Sequence, residues 1–224
     1  MGQTSTPTSD LRTAPEPLSA ELLERIEHIK SIDKTQLPSF TEIGALNNHL
    51  NALYAPEAYV VLYPIADNGS GLLGLAVDDM QVINKHLRGE GIGRHMRATI
   101  LKFADENNYI VAGSPTMEGD GSVDSLEPGF KSHALTHRTR LEKFYLDSGY
   151  EYNYAFEPDP SYLFDPAHLH KDELTGKDYP SNPRWKEQFN SEATAMLKDS
   201  GFYVRWPNNQ IPENWKAAAR QTEK

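Results

Sequence analysis

Residues 88–94 read Arg-Gly-Glu-Gly-Ile-Gly-Arg, a glycine at every second position from Gly89 to Gly93, set between apolar strand-like runs and a segment of helical periodicity. Glycines let successive backbone N–H groups converge on one anion, and the N-terminus of a following helix adds the positive end of its dipole. A pyrophosphate is the natural ligand of such a turn. The spacing is not that of a dinucleotide-binding GxGxxG turn, and no Lys-Ser or Lys-Thr follows Gly93 as in a P-loop. Taken alone the turn also suits a purely steric use of glycine, so its flanks decide.

Downstream, Met96, Ile100, Phe103 and Asn107 mark one side of a helix that Leu101 and Ala104 widen, and a short strand is expected over 109–113. A helix over 136–148 ends at Gly149, and 150–156 alternates as a strand. Upstream lie three strand-like runs, 59–65, 72–77 and 79–84, the first two joined by the turn-rich stretch Asp67, Asn68, Gly69, Ser70 and Gly71. An antiparallel meander is the simplest arrangement, with Asp78 and Asp79 at the second turn. Two helices precede it. Leu22, Leu23, Ile26 and Ile29 share a face after Pro17; Ile43, Leu46, Leu50 and Leu53 form a stripe that Pro56 stops, with Ser39 and Glu42 at capping-box spacing.

Two motifs, the glycine turn and the segment Phe144-Tyr145-Leu146-Asp147-Ser148-Gly149-Tyr150, resemble those of the GNAT acetyltransferase superfamily. Arg88, Gly91 and Gly93 match that family's Arg/Gln-x-x-Gly-x-Gly/Ala motif, and residues 144–150 look like its LYxxxGF segment. The resemblance covers about residues 58–156. It implies an α/β (α+β) fold of the GNAT acyl-CoA-binding type, a mixed central sheet flanked by helices. Residues 1–17 are then a disordered tail, 18–156 the acyl-CoA-binding domain, and 157–224 a helical extension packing on the core or a partner.

Acetyl-CoA as co-substrate follows from the same resemblance, its pyrophosphate held by the backbone of Arg88, Gly89, Glu90, Gly91, Ile92, Gly93 and Arg94. Val82 and Ile83 are expected to offer N–H groups to the thioester carbonyl where their strand splays from the next. Tyr145 is the expected general acid for the departing thiolate. For the base, Asp79 shares the strand parity of Gln81, while Asp78 points the other way; a tight turn made by both aspartates is the competing reading. Tyr145 likewise has a competing reading as an amphipathic core residue beside Phe144. Arg138 and Leu141 stand where the family has asparagine and alanine, the loop after Gly113 is longer, and no family element is matched after Phe156, the last strand included.

Composition bounds the rest. At 224 residues one core is the default, and without cysteine no disulfide or thiolate zinc site can form. The 32 acidic and 22 basic side chains, a formal charge of −10, argue against broad nucleic-acid binding and favour a cationic amine acceptor, whether a small molecule, a protein amine or a modified base. No apolar run suits a membrane span and residues 1–17 lack a signal-like core, so a cytoplasmic protein is expected.

The long polar loop 114–134 carries Glu118 and Asp120 as reserve acids. His133 with His137, and His168 with His170, lack a third ligand, and no metal is expected. A helix after Pro183 aligns Trp185, Phe189, Ala193 and Met196, ends near Gly201, and leads to a strand-like 202–206. An acetyl-CoA-dependent N-acetyltransferase is the leading expectation. A catalytically inactive GNAT-like binding module, joined to a second copy or a larger assembly through 157–224, is the alternative.

Overall fold

One mixed sheet of five strands organises the chain, in the order β1-β2-β3-β5-β4: β1 Ala58–Ile65, β2 Gly74–Val82, β3 Ile110–Gly113, β4 Glu151–Tyr152 and β5 Tyr203–Arg205. The structure, a computed structural model, describes residues 18–65, 71–113, 143–155, 184–198, 200–201 and 203–218. Expectations for 1–17, the turn 67–70, the loop acids Glu118 and Asp120, the histidine pairs, Arg138 and Leu141 lie outside those residues. No described helix is long and apolar enough to cross a membrane.

Helix α1 (Ala20–Ser31) belongs to a compact unit that ends at Ile32, and the described residues from Asp33 onward form another. Ser19 caps α1, its Oγ accepting from the Leu22 N–H at 3.2 Å. In the larger unit, α2 (Ile43–Tyr54) starts without a side-chain cap. Ser39 does not make the expected capping box, because its hydroxyl is drawn instead to Lys102 at 2.5 Å and Glu106 at 3.1 Å.

Helix α2 seals the open edge of the sheet. Asn51 accepts from the Val60 N–H at 3.0 Å and donates to the Val60 carbonyl at 2.8 Å, and Asn47 accepts from the Leu62 N–H at 3.2 Å. Two amide side chains one turn apart thus satisfy the backbone groups that an edge strand leaves exposed.

Strand β2 corrects the three-strand meander. Residues 74–82 are one strand, with Val61 paired to Asp79 and Leu62 to Val77, so Asp78 is an extra residue forming a β-bulge rather than part of a turn. A bulge breaks the alternation and makes one strand look like two in sequence. Beyond β2, α3 (Ile92–Asn107) crosses over to β3, which runs parallel to β2.

Pleat alternation sorts side chains onto two faces. Tyr203 and Arg205 of β5 face α3 and the helical residues 143–146 (α4): Tyr203 stacks on Tyr145, and Arg205 grips Asp105 of α3 through two bonds of 2.8 and 2.9 Å. On the opposite face Ile110 and Val204 join Trp185, Phe189, Trp206 and Trp215 in an aromatic cluster with α5 (Ser191–Lys198).

The single helix expected after Pro183 is broken. A 3-10 turn Lys186–Gln188 leads to an extended Phe189 that bridges to Lys216, and Asn190 then caps α5 by accepting from the Ala193 N–H at 2.8 Å. Residues beyond the expected boundary at 156 also contribute to the sheet. Strand β5 is inserted between β3 and β4, so the C-terminal segment completes the sheet rather than decorating it. β4 is shorter than the expected 150–156, because buried Asn153 leaves the ladder to donate to the carbonyls of Leu197 and Gly201 at 2.7 and 2.8 Å.

Candidate ligand cleft

The parallel ladder between β2 and β3 holds four pairs and ends at Val77 and Gly113, while β2 continues to Val82. From Asp78 onward β2 is paired only to β1. The phase of that remaining ladder fixes which groups face the gap. Ile83 N–H bonds the Glu57 carbonyl at 2.9 Å, which makes Ala58 and Val82 a pair without mutual hydrogen bonds. Val82 and Met80 therefore turn their amides away from β1, into the opening. The Ile83 amide, expected as a donor to the thioester, is taken by Glu57, and of the two expected donors only Val82 faces the opening, together with Met80.

The gap leads to the glycine turn. Asn84 caps a 3-10 turn Lys85–Leu87, and Arg88 Nε donates back to the Val82 carbonyl at 3.3 Å, tying the loop to the end of β2. Gly89 and Gly91 have φ of +93° and +80°, the left-handed region where a side chain is strained, and Gly91 is the N-cap of α3. No described residue bonds the amides of Gly91, Ile92, Gly93 or Arg94, although His95 N–H returns to the Gly91 carbonyl at 2.9 Å. Gly93 has helical backbone, and a Cβ built on it meets nothing within 4 Å. Nothing in the fold itself asks for glycine there. Glu90 and Arg94 are exposed, and Ile92 is buried as the first apolar anchor of α3.

A buried pair steadies this corner. His95 Nε2 lies 3.1 Å from the Gln36 carbonyl and Nδ1 2.7 Å from Tyr54 Oη. Since a carbonyl only accepts, Nε2 donates to Gln36, and in the tautomer with its single proton there Nδ1 receives the Tyr54 proton. The segment after Asp33 is held over the start of α3, with Lys34 Cδ 3.8 Å from the Cβ position of Gly91.

The floor of the opening is a recess lined by Val77, Met80, Arg97, Ile100, Tyr145 and Tyr150, with Phe144 at its side. Val77 and Met80 reach it together because the Asp78 bulge shifts the alternation. Tyr145 is packed by Tyr203 at 5.1 Å and Tyr150 at 5.0 Å, and its hydroxyl lies 3.2 Å from where a Gly113 Cβ would be. Any side chain at 113 would press on that hydroxyl. Burial pushes the Tyr145 hydroxyl up to about 12, and Tyr150 higher still. Gly149, at φ +81° and with Asn209 Oδ1 2.8 Å from its Cβ position, ends the segment that carries Tyr145.

Asp79 is not brought to Tyr145. It sits on the opposite face of β2, accepting from Tyr59 Oη at 2.5 Å. Asp78 is exposed at the bulge.

In sequence Arg97 stands only with Arg94 and Lys102, as a basic patch able to serve a phosphate ligand, and the fold places it beside Phe144 and Tyr145 instead. The guanidinium lies 3.7 Å above the Phe144 ring and donates to the Phe144 carbonyl at 2.9 Å. A signal was present, since Arg97 aligns with Ile100 and Ala104 at the margin of the apolar stripe of α3. Comparison with family models, with curated proteins and with solved structures finds no match to this chain.

Proposed function

We propose that the chain binds an acyl-CoA in the opening between β2 and β3 and transfers its acetyl group to an amine, as a member of the GNAT superfamily would. The observation that carries this reading is the splay of β2 beyond Val77, running directly into the glycine turn at the start of α3. Backbone donors at Met80 and Val82 suit the amides and thioester carbonyl of a pantetheine arm laid along β2. Free amides from Gly91 to Arg94, the dipole of a 16-residue helix and the cations Arg88 and Arg94 suit its pyrophosphate. Gly93, which the fold does not require, leaves room for the phosphates to approach. The strand order β1-β2-β3-β5-β4, with a bulged second strand, also supports the finer GNAT assignment.

In the reaction a neutral amine attacks the thioester carbon, and the carbonyl oxygen draws on the β2 amides. The C–S bond then breaks, its electron pair leaving on sulfur. Tyr145 stays protonated at all working pH values and, as the expected general acid, shares its proton with the thiolate through a hydrogen bond. Asp79, on the other face, fits an amine entering from the side opposite Tyr145. A binding module without turnover is the second reading, and the engagement of Asp79 by Tyr59 favours it.

Calorimetry with coenzyme A, followed by thiol release from acetyl-CoA with a panel of amines, tests both. Binding with release supports the transferase, and binding without it supports the module. If coenzyme A does not bind, and Gly91→Trp behaves as the parent, both readings fail.

A further inference from the structure

Arg97 is a half-buried cation without an anionic partner among the described residues. Its one hydrogen bond goes to a backbone carbonyl and its flat face to Phe144, which leaves most of its five N–H donors unused. The charge of Asp147 reaches it, but Asp147 is exposed and paired with Lys143 at 3.0 Å. Other charged or titratable groups around it are Arg94 on its own helix, Tyr145 on α4, and Tyr150, which Arg205 of β5 also approaches. Burial lowers the pKa of Arg97, so the charged form is short of solvation. An anion arriving in the recess would relieve that shortage.

The proposed reaction makes one anion in this recess, the thiolate of coenzyme A. Tyr145 alone is poorly matched to it. A hydroxyl near 12 gives up its proton reluctantly to a thiolate whose thiol titrates at about 8.5, so complete transfer is uphill by over three pH units. A neighbouring positive charge removes the need for complete transfer.

We propose that Arg97 is a catalytic residue that pairs with the departing coenzyme A thiolate while Tyr145 hydrogen-bonds to the same sulfur. This rests on the acyl-CoA reading above. As the C–S bond breaks, its electron pair passes to sulfur and is held there by the guanidinium. The amine proton leaves to Asp79 or water, and the thiolate is reprotonated after release, so charge and protons balance.

The test is a pH titration of the thiol of bound coenzyme A, followed by thiolate ultraviolet absorbance, in the parent, Arg97→Met and Arg97→Lys. In the parent the bound thiol should titrate about one to three pH units below free coenzyme A. Arg97→Lys should keep much of that drop and Arg97→Met should abolish it, with circular dichroism confirming that both fold. With acetyl-CoA, Arg97→Met should lower kcat about 100-fold with KM nearly unchanged. A bound thiol that titrates as free coenzyme A does, or equally in the parent and Arg97→Met, overturns the role of Arg97 while leaving the cofactor site standing. Absence of coenzyme A binding overturns the acyl-CoA reading and this inference with it.

Discussion

The two halves of β2 differ in their neighbours rather than in their conformation. From Gly74 to Val77 the strand is paired on both sides, to β1 and to β3, and Leu75 is fully buried. From Asp78 to Val82 it is paired on one side only, and its side chains are exposed or half-buried. In the first half every backbone group helps to hold the sheet together. In the second, no described residue bonds the amides of Met80 and Val82. The bulge at Asp78 marks the change, and it also turns Met80 onto the face of Tyr145 and Arg97.

If the paired half carries stability, the largest loss should come from its supports. Asp105→Ala would leave Arg205 with an uncompensated charge, its side chain 7% exposed, and should cost about 3–5 kcal/mol in urea unfolding. Replacing both partners by apolar residues should cost far less, since no buried charge is then stranded. An equal loss in the double variant would show that packing, not the pair, holds β5 to α3.

Within β2 itself, Leu75→Ala should cost about 2–5 kcal/mol, against under about 2 kcal/mol for Met80→Ala in the half that faces the cleft. Equal losses in denaturant titrations would erase the distinction between the two halves.

The cleft half should answer in activity instead. Tyr145→Phe is expected to lower turnover about 100-fold while changing coenzyme A affinity little and stability by under about 1 kcal/mol. An unchanged rate in the thiol-release assay would return Tyr145 to packing alone.

The same tyrosines make stability depend on alkaline pH. Tyr54 and Tyr145 are held up to about 12 by burial, against an ordinary value of 10.0. Below pH 10 both folded and unfolded chains are protonated at these groups, and their contribution is fully present. As pH rises from 10 to 12 the unfolded chain ionises first and the contribution is lost, on the order of 2 kcal/mol for fully buried Tyr54. Unfolding followed across that window should show the fall, and Tyr54→Phe should flatten part of it.

Local chemistry was readable in the sequence and distant pairing was not. Gly91 announced the start of α3, because a left-handed N-cap is a property of a few neighbouring residues. Gly149 announced the end of the segment bearing Tyr145 for the same reason. The bulge hid the continuity of β2, since two aspartates in an alternating run look like a turn. Strand β5 could be recognised as strand-like, but its place between β3 and β4 depends on partners far away in the chain. The asparagines Asn47 and Asn51 stand outside the apolar stripe that marks α2 in sequence, yet they close the edge of β1. In the cleft, the glycine turn and Tyr145 were legible as motifs, whereas Arg97 needed the fold to show which way a cation on an apolar helix margin points.

The smallest effect separates the two halves most cleanly, because its two readouts should move in opposite directions. Gly93 lies in the first turn of α3 with open space where a Cβ would be, and its backbone is helical. Alanine there removes unfolded-state freedom without strain, and should stabilise the protein by about 0.4–1 kcal/mol in thermal unfolding. The same methyl would stand in front of the free amides of the turn, and coenzyme A affinity should fall. A residue that improves the fold and weakens binding is one the fold was not using. Should Gly93→Ala stabilise the protein and leave coenzyme A binding unchanged, the space at Gly93 belongs to solvent, and the pyrophosphate must be sought elsewhere than at the start of α3.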